Sequence, residues 1–161
     1  MSQHFDAIII GTGQAGPSLA ARFSAAGMAV AIIERHKFGG TCVNTGCFPT
    51  KTMVASAYAA HVARRGAEFG FDVKGDVRLD MKRVKARKDE ISGRSSRGVE
   101  EWLRGLKNCT VIRGHAHPSD GGGISPHRLV PTGTLCVGGG IQRPTRGAEI
   151  PASSNLNRAK S

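Results

Sequence analysis

Two thiols, Cys42 and Cys47, stand with four residues between them, and no other pair in the chain is so placed for chemistry. In a regular helix, residues five apart rise about 7.5 Å and face different sides. A disulfide needs Cα atoms within about 7 Å. The pair can therefore bridge only where the backbone is irregular, and Gly46, directly before Cys47, supplies that freedom. Pro49 suits the first turn of a helix, where its missing amide hydrogen has no partner to lose. Cys47 would then lie at a helix start, whose partial positive charge favours a thiolate. The chemistry expected of such a pair is redox exchange.

The elements that must carry these thiols begin at the N-terminus. Phe5 to Ile10 is the apolar run of a buried parallel strand, and it enters Gly11-Thr12-Gly13-Gln14-Ala15-Gly16 directly. A small, apolar helix is expected over Ala15 to Ala26, capped by Gly27, then a second strand over Met28 to Ile33 that finishes at Glu34. Strand, glycine turn, helix, strand and terminal acid, in this spacing, describe a dinucleotide fold. Gly11 permits the tight turn, Gly13 lets the backbone approach a pyrophosphate, and Gly16 allows close helix–strand packing. Helix-start amides from Ala15 onward hold phosphates, and Glu34 is placed to accept from ribose hydroxyls. Arg35, adjacent to Glu34, softens the argument that the acid disfavours a ribose 2′-phosphate. Both FAD and a nicotinamide dinucleotide present the same ADP half, so the turn alone does not choose between them.

The stretch Gly39-Gly40-Thr41-Cys42-Val43-Asn44-Thr45-Gly46-Cys47-Phe48-Pro49-Thr50-Lys51 resembles the redox-active disulfide signature of the FAD-dependent pyridine nucleotide–disulfide oxidoreductases. Within them it is most similar to the mercuric reductase and dihydrolipoamide dehydrogenase branch. Phe48 departs from the aliphatic residue usual before the proline, a change of packing rather than of chemistry. The resemblance implies an α/β, Rossmann-like FAD-binding half-domain with parallel strands over residues 1–117. FAD would be held by Gly11, Gly13, Ala15, Gly16, Glu34, Arg35, Gly40, Thr41, Lys51 and Ala116. It further implies that reduced nicotinamide passes a hydride to FAD and the flavin reduces the Cys42–Cys47 disulfide. Cys47 would face the flavin and Cys42 would meet substrate, a small-molecule disulfide or Hg(II) held between thiolates. Lys51, one turn beyond Cys47, would stabilise an electron-rich flavin; the plainer reading is a solvated lysine near a helix start. The family's second dinucleotide fold, C-terminal His–Glu pair and dimerisation domain are not found in these residues. NAD(P)H and homodimer formation are thus expected of a longer parent, and turnover is not expected of this chain alone. The alternative is a non-catalytic flavin-binding fragment or inert truncated product.

Composition narrows the remaining classes. No apolar run reaches the roughly 18 residues of a membrane span, and no signal-peptide pattern opens the chain, so a cytoplasmic location is expected. Four cysteines without a secretory context read as catalytic or incidental thiols. The formal charge of +11 suits an anionic partner, but the basic run from Lys82 to Arg97 has only Trp102 near it and no set of stacking aromatics. A solvated helix face is the first reading, cofactor steering the second, and nucleic acid the last. No metal site is expected: Cys42, Cys47 and His36 lack a matching second pair, and His61 lacks a second ligand.

Long helices are expected from about Phe48 to Arg65 and from Met81 to Leu106, the second with Val84, Ile91, Val99, Leu103 and Leu106 on one side. A polar connection joins them, and a third strand is expected over Cys109 to Ile112, with Cys109 a small buried hydrophobe. Beyond about residue 118 Gly, Pro, Ser and Arg dominate, and no Phe, Trp or Tyr follows Gly121. That stretch, 118–161, is expected to be a disordered or non-native tail without contacts to the core; a divergent folded ending is the other reading.

Overall fold

The computed structural model describes residues 5–118, 124–125 and 135–138. In chain order the elements are β1 (Ala7–Ile10), α1 (Ala15–Ala25), β2 (Val30–Glu34), α2 (Gly40–Asn44), α3 (Cys47–Arg64), a 3₁₀ turn (Gly66–Phe69), α4 (Met81–Arg104), β3 (Cys109–Arg113), β4 (His117–Pro118), β5 (Ile124–Ser125) and β6 (Leu135–Gly138). The chain forms two compact units, one drawn from Met1–Gly40 and Arg97–Ser161, the other Thr41–Ser96.

The first unit is built on a parallel sheet in the order β3-β2-β1-β6. Ala7 pairs with Val30 and Ile10 with Ile33; Val30 pairs with Cys109 and Glu34 with Arg113. The parallel, Rossmann-like arrangement expected from the sequence is thus the one observed. Successive strand residues face opposite ways, and the core divides accordingly. Ile8, Ala31 and Ile33 pack with Phe5 on one face. Ile9, Val30 and Ile32 pack on the other with Ala20 of α1, Phe38 and Leu103 of α4. Each such aliphatic side chain, when fully buried, contributes about 1.5–3 kcal/mol relative to exposure.

The helix ends explain where expectation and structure differ by a residue or two. Gly27 (φ 83°) follows α1 and donates its amide to the Ser24 carbonyl at 3.1 Å. Met28 donates to the Phe23 carbonyl at 3.1 Å, which completes a Schellman cap. Met28 is thereby used in the cap, and β2 starts at Val30 rather than at Met28. Helix α4 ends at Arg104, where the bonds tighten: the Gly105 amide is shared between the Glu101 and Trp102 carbonyls at 3.0 and 3.2 Å, and Leu106 donates to the Leu103 carbonyl at 3.3 Å. Leu106 still packs against the Phe38 and Leu103 cluster.

In the second unit, Asp80 caps α4: its carboxylate accepts from the amides of Lys82 at 2.9 Å and Arg83 at 3.2 Å. Arg87 of α4 reaches the Thr52 carbonyl of α3 at 3.1 Å, and Arg64 reaches the Val77 carbonyl at 2.9 Å. The charged run on α4 is partly self-neutralised, with Asp89 held by Lys85 and Lys88. Those ammonium groups bring the Asp89 carboxyl down to about 2.

Within the stretch expected to be a tail, four residues pair with the core sheet. Leu135–Gly138 forms β6, parallel to β1, with Ala7 opposite Leu135 and Ile10 opposite Gly138. Leu-Cys-Val is a short apolar run, and the glycine-rich setting obscures it. His117–Pro118 and Ile124–Ser125 form a small antiparallel pair. The rest of 118–161 lies outside the described residues.

Candidate dinucleotide turn and thiol pair

The first unit builds a glycine turn at the carboxyl end of β1. Gly11 has φ 91° and donates its amide to the Ile33 carbonyl at 2.7 Å, so the turn is pinned to β2 where it leaves the sheet. A Cβ on Gly16 would lie 2.4 Å from the Gly11 carbonyl oxygen and 3.4 Å from Ile9 Cγ2. Only glycine lets α1 approach the turn this closely. Gln14 precedes α1 without a side-chain cap, and no acidic residue lies in the first turn. The early amides of α1, from Ala15 on, are therefore left to other acceptors. Pro17 is buried in that first turn, as its lack of an amide hydrogen allows.

Glu34 ends β2 beneath this turn, buried at 9% exposure. Its Oε2 accepts from the Thr12 amide at 2.9 Å and the Thr12 hydroxyl at 2.6 Å, and its Oε1 accepts from the His36 amide at 3.0 Å. Burial pushes the carboxyl up, but the donors from Thr12, His36 and Arg35 outweigh it and hold Glu34 below the ordinary carboxylate range. Thr12 also accepts, at 3.1 Å, from the amide of Gly39. Gly39 and Gly40 both adopt positive φ, 92° and 60°, and a Cβ on Gly40 would lie 2.9 Å from Gly13 Cα. The two glycine turns thus close on one another at Gly13 and Gly40. Arg35 is exposed just beyond β2, and Ala116 packs against the Phe5 and Ile8 cluster.

The second unit holds the thiols at a break between two helices. The amides of Thr45 and Gly46 both donate to the Thr41 carbonyl, at 2.9 and 2.7 Å. This loosened turn separates α2 from α3, and Gly46 sits at φ −113°, ψ −109°. A Cβ there would meet the Thr41 carbonyl oxygen at 3.0 Å and Cys42 Cα at 3.4 Å. The irregular backbone expected at Gly46 is present, and Cys47 is the first residue of α3. Both thiols are free, Cys42 half-buried and Cys47 exposed. A hydrogen bond to Cys47, with some desolvation, raises the Cys42 thiol above its ordinary value, while the Lys51 ammonium acts in the opposite direction. Cys109, by contrast, is pushed up to about 11 by burial alone. The same unit has an open apolar hollow of ≈ 240 Å³ between Met53 and Val54 of α3 and Leu79, Met81 and Val84.

Sequence reasoning passed over Thr12, Phe38 and the amide of Gly39. Thr12 occupies the variable position of G-x-G, where no pattern marks a hydroxyl as useful. Among the described residues no three His, Cys, Asp or Glu side chains gather as a metal site. No helix among them is long and apolar enough to cross a membrane.

Residues 5–121 match the family described as pyridine nucleotide-disulphide oxidoreductase. The chain belongs to that family. Its relatives include a dihydrolipoyl dehydrogenase of Rhizobium etli, 40% identical over 116 residues, a match that takes in 72% of this chain and 24% of the relative. A dihydrolipoyl dehydrogenase of Bacillus subtilis is 27% identical over 170 residues, covering 97% of this chain and 36% of the relative. Among solved structures, the Cu(II) complex of the HOCl-induced flavoprotein disulfide reductase RclA from Escherichia coli superposes with a TM-score of 0.55 at 33% identity, covering 71% of this chain and 22% of RclA. RclA itself, from the same organism, gives 0.53 at 34% identity, over 70% and 22%. The chain thus spans roughly a quarter to a third of the length of these relatives. The glycine turn and the uncapped start of α1 suit the phosphates of a dinucleotide. The α1 start has no side-chain cap, Gly16 brings it against Gly11, and Gly13 and Gly40 leave no Cβ in the cradle.

Proposed function

We propose that this chain is the FAD-binding and thiol-bearing portion of an NAD(P)H-dependent disulfide oxidoreductase. The observation that carries the reading is the thiol pair at the α2–α3 break, with Cys42 inside α2 and Cys47 the first residue of α3. FAD, when bound, supplies the electron pair that opens a disulfide. The chain's own residues do the rest. The amides at the start of α1, together with Gly11, Gly13, Gly16 and Gly40, would hold the pyrophosphate, and Glu34 and Arg35 lie where the ribose would be read. Thr41, Lys51 and Ala116 complete the set of residues proposed to hold FAD. Beside Cys47 the Cys42 thiol holds its proton more firmly than a free thiol does. Lys51 stabilises negative charge nearby.

The named relatives favour a dihydrolipoamide-type small-molecule disulfide as substrate of the whole protein, with Hg(II) held between thiolates as the second reading. The whole protein would act as a homodimer in a reducing compartment, the cytoplasm. A flavin-binding fragment with a dithiol but no turnover is the alternative for these 161 residues. The region 118–161 outside β6 would then be a tail that the site does not use.

FAD titration of the purified chain, followed by flavin fluorescence, is the test. Binding that is lost in Gly13→Leu, together with a Cys42–Cys47 disulfide that forms and reopens in a glutathione buffer, supports the reading. Unchanged binding in Gly13→Leu, or absence of the 42–47 bridge in peptide maps, overturns it. NADPH-driven reduction of a disulfide by the chain would overturn the fragment alternative.

A further inference from the structure

Thr12 is fully buried, yet it forms more polar bonds than its position in the glycine turn demands. A carboxylate has no proton to give, so the Thr12 hydroxyl must donate to Glu34 Oε2, at 2.6 Å. Its lone pairs are then free for the Gly39 amide, which donates to it at 3.1 Å. The result is a one-way chain: Gly39 N–H to Thr12 O–H to the Glu34 carboxylate. The Thr12 amide adds a second donor to the same oxygen at 2.9 Å. We infer that Thr12 is a positioning residue, whose hydroxyl sets the Glu34 carboxylate and ties the first glycine turn to the Gly39–Gly40 turn.

The inference rests on the reading of this turn as a dinucleotide site, and it adds a residue whose side chain need not touch the ligand. A carboxylate offers about four acceptor positions. The two Thr12 donors and the His36 amide take three of them, and the Arg35 amide is a further donor to the same carboxylate. A ribose hydroxyl therefore meets an acid already oriented and charged, and it has to share an oxygen with these donors, two of which come from Thr12. Other charged or titratable groups near Glu34 are Arg35, His36 and Lys37, which follow it along the chain, and Arg113, its register partner on β3. The Arg113 guanidinium is engaged with Glu100 and lies 5.3 Å over the Phe38 ring. Thr12 is thus the donor from outside the β2 end that approaches Glu34 twice.

The experiment uses the whole chain in wild-type, Thr12→Val and Thr12→Ser forms. It reads the Glu34 carboxyl titration by NMR, the Gly39 amide exchange rate, and the affinity for ADP by calorimetry. Valine keeps the shape and removes the hydroxyl, so Glu34 should titrate at higher pH and Gly39 should exchange about tenfold faster. ADP binding should weaken by about tenfold, the size of one lost charge-assisted bond. Serine should restore all three. Unchanged Glu34 titration and Gly39 exchange in Thr12→Val would overturn the inference. So would normal ADP affinity in that variant while wild type binds. Failure of wild type to bind ADP would instead overturn the reading of the turn itself. Should Thr12→Val not fold, Thr12→Ser decides: a wild-type Glu34 titration supports the link, and a shifted one overturns it.

Discussion

Gly13 and Gly40 meet backbone against backbone, such that a Cβ on Gly40 would lie 2.9 Å from Gly13 Cα. Gly40 also has φ 60°. Gly40→Ala therefore incurs both a steric and a conformational cost. Gly27→Ala is the matched control, since Gly27 has φ 83° with nothing within 4 Å of an added Cβ. The control should lose about 1–2 kcal/mol, the cost of a left-handed alanine. Gly40→Ala should lose more, by up to about 1–3 kcal/mol of overpacking. Urea unfolding of both variants measures the difference, and equal losses would mean the two turns do not close on each other.

Two further glycines should respond with opposite sign. Gly16→Ala drives a methyl into the Gly11 carbonyl, 2.4 Å away, and should destabilise by about 1–3 kcal/mol. Gly98 lies inside α4 with open space around it. Gly98→Ala should stabilise by about 0.5–1 kcal/mol, because alanine has less backbone entropy to lose. Thermal melts of the two single variants check the signs.

The thiols allow a paired test. The hydrogen bond to Cys47 raises the Cys42 thiol, and Lys51 lowers it. Alkylation proceeds through the thiolate. In Cys47→Ala the pH midpoint for Cys42 alkylation should fall, and in Lys51→Met it should rise. Peptide mapping after brief iodoacetamide treatment across pH gives both midpoints. Cys109, at about 11, should stay unreacted near neutral pH in all forms.

Glu34 should mark the acid limb of stability. Its folded pKa is lowered, so the folded chain binds fewer protons than the unfolded chain between that lowered value and the ordinary glutamate value near 4.3. The contribution is complete above the unfolded pKa and is lost as pH falls through the folded one. Glu34→Gln removes that dependence, so the stability of the variant should fall less steeply with acid than that of wild type below about pH 4.3. Urea midpoints at several pH values separate the slopes, and parallel slopes would show that the Thr12 and His36 donors do not favour the charged form.

Much of the fold was legible because local rules and tertiary demands agree. Ile8, Ile9, Ile32 and Ile33 read as buried strand, and they are buried on both faces of a parallel sheet. Gly11, Gly16, Gly27 and Gly46 read as places of special backbone, and each has the positive φ, the close approach or the irregular turn that glycine permits. Phe38 and Thr12 were not legible. Phe38 lies in a short connection without periodicity, and its burial depends on Leu103, sixty-five residues away. Thr12 gains its role only when β2 brings Glu34 beneath it. Leu135–Gly138 was hidden for a related reason: four residues are too few to show a period.

The pairing of β1 with β6 sets an order for assembly during synthesis. β1, α1 and β2 are available once residue 34 has emerged, and their contacts are local enough to form quickly. The outer edge of β2 then waits for Cys109–Arg113, and the outer edge of β1 waits for Leu135–Gly138. Through that interval a two-stranded ribbon rich in isoleucine has open backbone on both sides, the template that unwanted strand addition uses. A nascent chain arrested before residue 109 should therefore be the form most in need of a chaperone.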